Sequence, residues 1–194
     1  IQNYLEPSTI AFSSDSYFGV VELTPTRDKD VRAAFDRAYR QKLRPDEYNF
    51  LDVDNCVALY SERRVAMIEP SQRGVKFFSF ILRKPDMDRR DFLAHWEHSH
   101  GPLVRDFEPF AGKIVGYVQH HLRPDRERGF GAGEPVHEFD GVAELHFASN
   151  ETFNAFFALG DATKPIREDE EGFLLRPTMR MAVREVDLTA RLAR

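Results

Sequence analysis

The chain has 194 residues, 42% of them hydrophobic and 30% charged, which is room for one large or two small domains with a real core and excludes a chain disordered throughout. Its 27 basic against 32 acidic residues give a net charge of −5 with no dense basic tract, which argues against nucleic acid as a partner. No apolar run approaches the roughly 20 residues of a membrane span, and the lone Cys56 excludes an internal disulfide or a multi-thiolate zinc site.

Residues 17–23 have the short, β-rich composition of a strand. Asp28 and Asp30 offer caps for a helix whose face carries Val31, Ala34, Phe35, Ala38 and Tyr39, with Pro45 beyond its end. Residues 55–60 and 64–68 suggest two strands around the turn Ser61-Glu62-Arg63. The turn-rich stretch 69–74 is the best boundary. It separates an N-terminal βαββ part, residues 1–74 (a possible degenerate repeat), from a second domain, residues 75–194.

The second domain begins with a strand at 75–83, apolar on both faces, broken by Lys84-Pro85-Asp86. Asp88 caps a helix bearing Phe92, Leu93 and Trp96, and Gly101-Pro102 is expected to interrupt it. Residues 114–122 form a strand. The Gly- and Pro-rich stretch 123–138 reads as a long loop and a candidate lid. A strand at 139–147, a short helix capped by Asn150 with Phe153, Phe156 and Phe157, and a strand at 179–188 complete the order βαββαβ. That order predicts an α+β ferredoxin-like unit, an antiparallel sheet with helices on one face. Its other face would need a cover, and two such sheets packed together make a barrel-like homodimer. The 17 phenylalanines fit either a Phe-rich core or a greasy cavity for an aromatic or aliphatic ligand.

Four segments carry a resemblance. They are the run from Phe92 through Trp96, His100 and Pro102 to Leu103; the strand from Gly116 to His121; Asp140-Gly141-Val142-Ala143-Glu144 and the residues after it; and Asp169-Glu170-Glu171-Gly172-Phe173. In order and spacing they resemble the EthD family of the dimeric α/β-barrel superfamily, over residues 75–188. The resemblance implies the ferredoxin-like dimeric barrel. It leaves the reaction open, since the superfamily hosts cofactor-free monooxygenases, isomerases, cyclases, dehydratases and haem proteins.

His100, four residues after Trp96 and seven after Leu93, shares their apolar helical face and is the first candidate acid/base. His95 and His98 are expected at the surface. On the strand at 139–147, Val142, Glu144 and His146 share one face, opposite the small, apolar Gly141, Ala143, Leu145 and Phe147. Glu144 is therefore expected in the barrel interior, with its pKa raised by burial, and to converge with His100 at the rim. Tyr117, Gln119 and His121 alternate on one strand face and could supply hydrogen bonds in the same cavity, Tyr117 as a third catalytic group. Trp96, Gln119, His121, His146, Phe78 and Phe80 are the expected substrate contacts. Asp140 and Asp169 read as turn and cap residues, Arg83 as a surface ion-pair former.

His98-x-His100 and His120-His121 look like metal ligands. Residues two apart on a helix, and neighbours on a strand, diverge, so no metal is expected. With no phosphate loop, dinucleotide fingerprint or nucleophile elbow, no organic cofactor is expected either. The N-terminus shows no basic segment followed by an apolar one, which with the single cysteine sets a cytoplasmic expectation. The functional expectation is a cofactor-independent enzyme of lyase, isomerase/cyclase or oxygenase type. It would move protons on a hydrophobic, aromatic or polyketide-like substrate. The alternative is an accessory protein that binds a small hydrophobic molecule without catalysis.

Overall fold

The computed structural model describes residues 2–5, 19–22, 29–53, 59–122 and 139–186. The chain divides into two compact units, one of Ile1–Val21, Ser61–Leu122 and Phe139–Arg194, the other of Glu22–Tyr60 and Arg123–Glu138. The candidate lid at 123–138 and residues 55–58 of the expected strand 55–60 lie outside the described residues.

The first unit holds a seven-stranded antiparallel sheet: β1 (Gln2–Leu5), β2 (Gly19–Val21), β3 (Ser61–Ile68), β4 (Val75–Arg83), β5 (Gly116–Leu122), β6 (Gly141–Phe147) and β7 (Leu174–Val186), in the order β2-β1-β7-β4-β6-β5-β3. β4 is buried over most of its length because it is central, flanked by β6 and β7. The inner four strands β7-β4-β6-β5, with helices between β4 and β5 and between β6 and β7, are the expected ferredoxin-like arrangement. The strands from residues 1–74 extend this same sheet. β1 pairs with β7, and β3 pairs with β5. Ser61 and Arg63, read from sequence as a turn, sit in β3 opposite Leu122 and His121, where pairing to a sheet edge outweighs their polarity.

Three helical segments position the site. α3 (Arg89–His95) starts as expected, with Asp88 accepting a 2.7 Å hydrogen bond from the Arg90 N–H. It does not stop at Gly101-Pro102. It runs through a π turn, Trp96–His100, into α4 (Gly101–Arg105). Proline lacks an N–H and its ring presses on the carbonyl four residues back, here His98. A turn widened by one residue accommodates it, with the Gly101 N–H bonded to Trp96 O, five residues back. α5 (Asn150–Phe157) is capped by Ser149 rather than Asn150, in a reciprocal capping box with Thr152. α6 (Lys164–Phe173) was not anticipated from sequence.

The second unit repeats the device. α1 (Lys29–Ala38) passes through a π turn, Tyr39–Leu43, into α2 (Arg44–Glu47), so Pro45 lies in a helical first turn and not beyond the helix. There the Tyr39 hydroxyl donates to Glu47 Oε2 at 3.0 Å, and Arg44 does so at 3.2 Å.

Strand register sorts the first unit's residues by face. Phe77, Ser79 and Ile81 oppose Leu145, Ala143 and Gly141, and Tyr117, Gln119 and His121 oppose these same β6 residues. This face packs on the helices. Phe77, Tyr117 and Phe147 cluster with Val104, Phe153 and Ile166, and Ile81 with Phe92, Trp96 and Phe173. The other face carries Lys76, Phe78, Phe80, Val118, Val142, Glu144, His146, Met181 and Val183, all at most 6% exposed. Among the described residues no helix is long and apolar enough to cross a membrane.

Candidate active site

Between the sheet and its helices lies a cavity of about 280 Å³. Phe77, Leu145, Phe110, Phe156 and Phe157 make its apolar wall, while Trp96, His100, Tyr117, Ser79, Glu170 and Arg180 bring polar groups to it.

His100 is 5% exposed. Its Nδ1 lies 2.8 Å from Asp169 Oδ2, and the other carboxylate oxygen, Oδ1, lies 3.0 Å from His95 Nε2. An ionised carboxylate only accepts hydrogen bonds, so each facing imidazole nitrogen is the donor. In the neutral His100 ring the lone pair is then on Nε2. Burial lowers the His100 pKa from its usual 6.5, against the opposing hydrogen bond to Asp169 and the charges of Glu170 and Asp169. The ring is thus neutral near pH 7 and able to accept a proton.

The π turn makes this arrangement possible. In a regular α-helix, residues five apart point about 140° away from each other. The extra residue in Trp96–His100 brings His95 and His100 round to one carboxylate. Asp169 faces them because α6 turns its Ile166 and Phe173 into the core, three residues before and four after. The Phe173 ring packs on both imidazoles, with centroids 4.8 Å from His95 and 5.1 Å from His100.

Tyr117, 2% exposed, lines the same cavity. Its hydroxyl accepts from Gln119 Nε2 at 3.0 Å, and the same amide donates to Trp96 O at 2.8 Å. Burial pushes the phenol pKa well above its usual value, against hydrogen bonds from Gln119 and Trp96 and with help from the charges of Glu170 and Asp169. Tyr117 therefore remains a proton-bearing donor. Gln119 and His121 are on the cavity side of the sheet but do not line it. Gln119 ties Tyr117 to the helix, and His121 stacks on Trp96 with centroids 5.1 Å apart. Trp96 in turn lies over Gly141, where any Cβ would overlap the indole. Asp140 beside it accepts from the Arg83 backbone N–H at 2.9 Å and from the Arg83 guanidinium, a structural tie. His98 is exposed, as expected.

Glu144 is elsewhere. Its register, opposite Phe78 and Val118, puts it on the other face. It neither meets His100 nor lines the cavity, and His146, Phe78 and Phe80 go with it. The carboxylate is 3.0 Å from Lys76 Nζ and 2.6 Å from His120 Nε2. His146 Nε2 is 2.7 Å away but out of line for a hydrogen bond. The expected upward pKa shift is also reversed. Burial does push it up, but the hydrogen bond to His120, the adjacent His146 ring and the Lys76 charge hold Glu144 well below the carboxylate range. It is a buried, paired anion and not a poised acid.

Sequence reasoning missed Asp169 and the part-buried His95, because α6 was not recognised. Its mostly charged segment hides an inward face that only the spacing Ile166, Asp169, Phe173 and Pro165 in the first turn reveal.

A buried histidine and a buried tyrosine thus line one cavity between the sheet and helices of a ferredoxin-like α+β unit. Residues 84–176 match the model of the family described as EthD domain, a stretch that includes His95, Trp96, His100, Tyr117 and Asp169. The family suggests a small-molecule-binding or catalytic α/β domain. No curated protein matches the chain.

Proposed function

We propose that the cavity is an active site for cofactor-independent proton transfer on a small hydrophobic molecule. His100 Nε2 takes a proton from the substrate. The Tyr117 hydroxyl donates to the oxygen on which charge develops, and the imidazolium returns its proton to another carbon (isomerisation or cyclisation) or to a departing hydroxyl (dehydration). Asp169 holds His100 in the required tautomer. The observation that carries the reading is the buried His100–Asp169 pair at the wall of a largely aromatic cavity. At about 30 Å³ per water the space equals roughly nine waters, enough for a molecule of two or three fused rings, which supports an aromatic or polyketide-like substrate.

Trp96 is the sole tryptophan and lines the cavity, so its emission reports occupancy. A panel of bicyclic and tricyclic phenols and ketones, titrated against Trp96 fluorescence, is expected to yield binders. Binders incubated in D2O are expected to exchange an acidic C–H for C–D with the native protein and not with His100→Ala. Binders that never exchange would overturn catalysis and leave the accessory, ligand-holding role.

A further inference from the structure

Asp169 is gripped from two sides. The His100 bond explains a base, but it does not explain why a second imidazole, on the far side of the widened turn, holds the other oxygen of the same carboxylate. Exposure grades along the three groups: the side chain of His100 is 7% accessible, Asp169 22% and His95 32%. A carboxylate reached by water can rotate about its Cβ–Cγ bond and trade a protein donor for solvent. With Oδ1 fixed by the His95 Nε2–H, Oδ2 is left to the His100 Nδ1–H. Phe173, against both rings, limits their rotation.

We infer that His95 is a positioning residue: by donating Nε2–H to Asp169 Oδ1 it fixes the carboxylate, which in turn keeps the lone pair of His100, a ring that lines the cavity, on Nε2. The inference rests on the proposed catalytic reading for its consequence in turnover, but the arrangement itself can be read without any substrate. The charged and titratable groups around His100 are Asp169 and Glu170 from α6, His95 from its own helix and Tyr117 from β5, with Arg167 of α6 and Arg180 of β7 also lining the cavity, and only His95 and His100 hold Asp169 among the described contacts.

The variants are His95→Gln, whose amide can donate to the same oxygen, and His95→Leu, which cannot. Should the Leu variant not fold, His95→Asn, too short to reach Asp169, replaces it. Imidazole nitrogen NMR of the native protein and His95→Gln is expected to show His100 protonated at Nδ1 alone. In His95→Leu a mixture of the two tautomers and a shifted His100 titration midpoint are expected. With a substrate in hand, His95→Leu should lower kcat by about tenfold, the size of one charge-assisted hydrogen bond acting through a second group, with KM within about twofold and activity restored in His95→Gln. An unchanged His100 tautomer and midpoint in His95→Leu would overturn the positioning role. A changed tautomer in a protein that exchanges no proton on any binder would leave the positioning role standing and sink the catalytic reading instead.

Discussion

Replacing Asp169 by Asn tests the site at its most informative atom. Asp169 accepts from two imidazole N–H groups, at 2.8 and 3.0 Å. Asparagine offers one carbonyl oxygen and one NH2, so it cannot accept on both sides. One histidine must reverse its tautomer or lose its partner. If the NH2 faces His100, the ring proton moves to Nε2 and the lone pair moves to Nδ1, taken up by the amide. Removing the carboxylate also removes a contribution that raises the His100 pKa against burial, so His100 stays neutral and the loss comes from the tautomer, not from protonation. General-base catalysis contributes about 100- to 10,000-fold, and Asp169→Asn is expected to lose a factor in that range in the rate of substrate C–H exchange. Binding, read from Trp96 emission, should change by less than about threefold, since burial of the ligand against the aromatic wall is untouched. Exchange within about twofold of the native rate, with an unaltered pH profile, would refute the assignment of His100–Asp169 as the working pair.

Glu144→Gln should behave in the opposite way. It removes the carboxylate 3.0 Å from Lys76, itself 4% exposed, and should cost about 3 kcal/mol by chemical denaturation, with Trp96-reported binding unchanged; a loss of binding without loss of stability would put Glu144 back in the site. Stability should fall on acidification in two stages. His100 and His121 titrate below 6.5 in the folded state, mainly through burial, so the unfolded chain takes up protons first and stability declines as pH drops below about 6.5. Glu144, held below its usual 4.5, contributes stability above that pH and loses it as pH falls further, with the unfolding free energy measured at a series of pH values as the check; a flat profile from pH 7.5 to about 4 would contradict both.

What was legible in the sequence was whatever depends on local period and composition. The alternation of Val142, Glu144 and His146 against Gly141, Ala143 and Leu145 assigns the two faces of β6 correctly, and the order βαββαβ gives the ferredoxin-like core with its helices over the small, apolar face. The inward turn of His100 follows from its spacing to Trp96, and Asp88 announces its helix. Tertiary structure decided what depends on partners far along the chain. Which face holds the cavity is set by packing: the helices enclose space over Tyr117 and Phe77, and Glu144 across the sheet is paired with Lys76, on a neighbouring strand 68 positions away, with His120 and His146 beside it. The helix ran through Gly101-Pro102 because a widened turn can absorb a proline, and local propensity does not encode that choice. Asp169 gained its role from the same turn. Its own neighbours are charged and uninformative, and only the approach of α6 to the π turn sets one carboxylate between two histidines 74 and 69 positions distant.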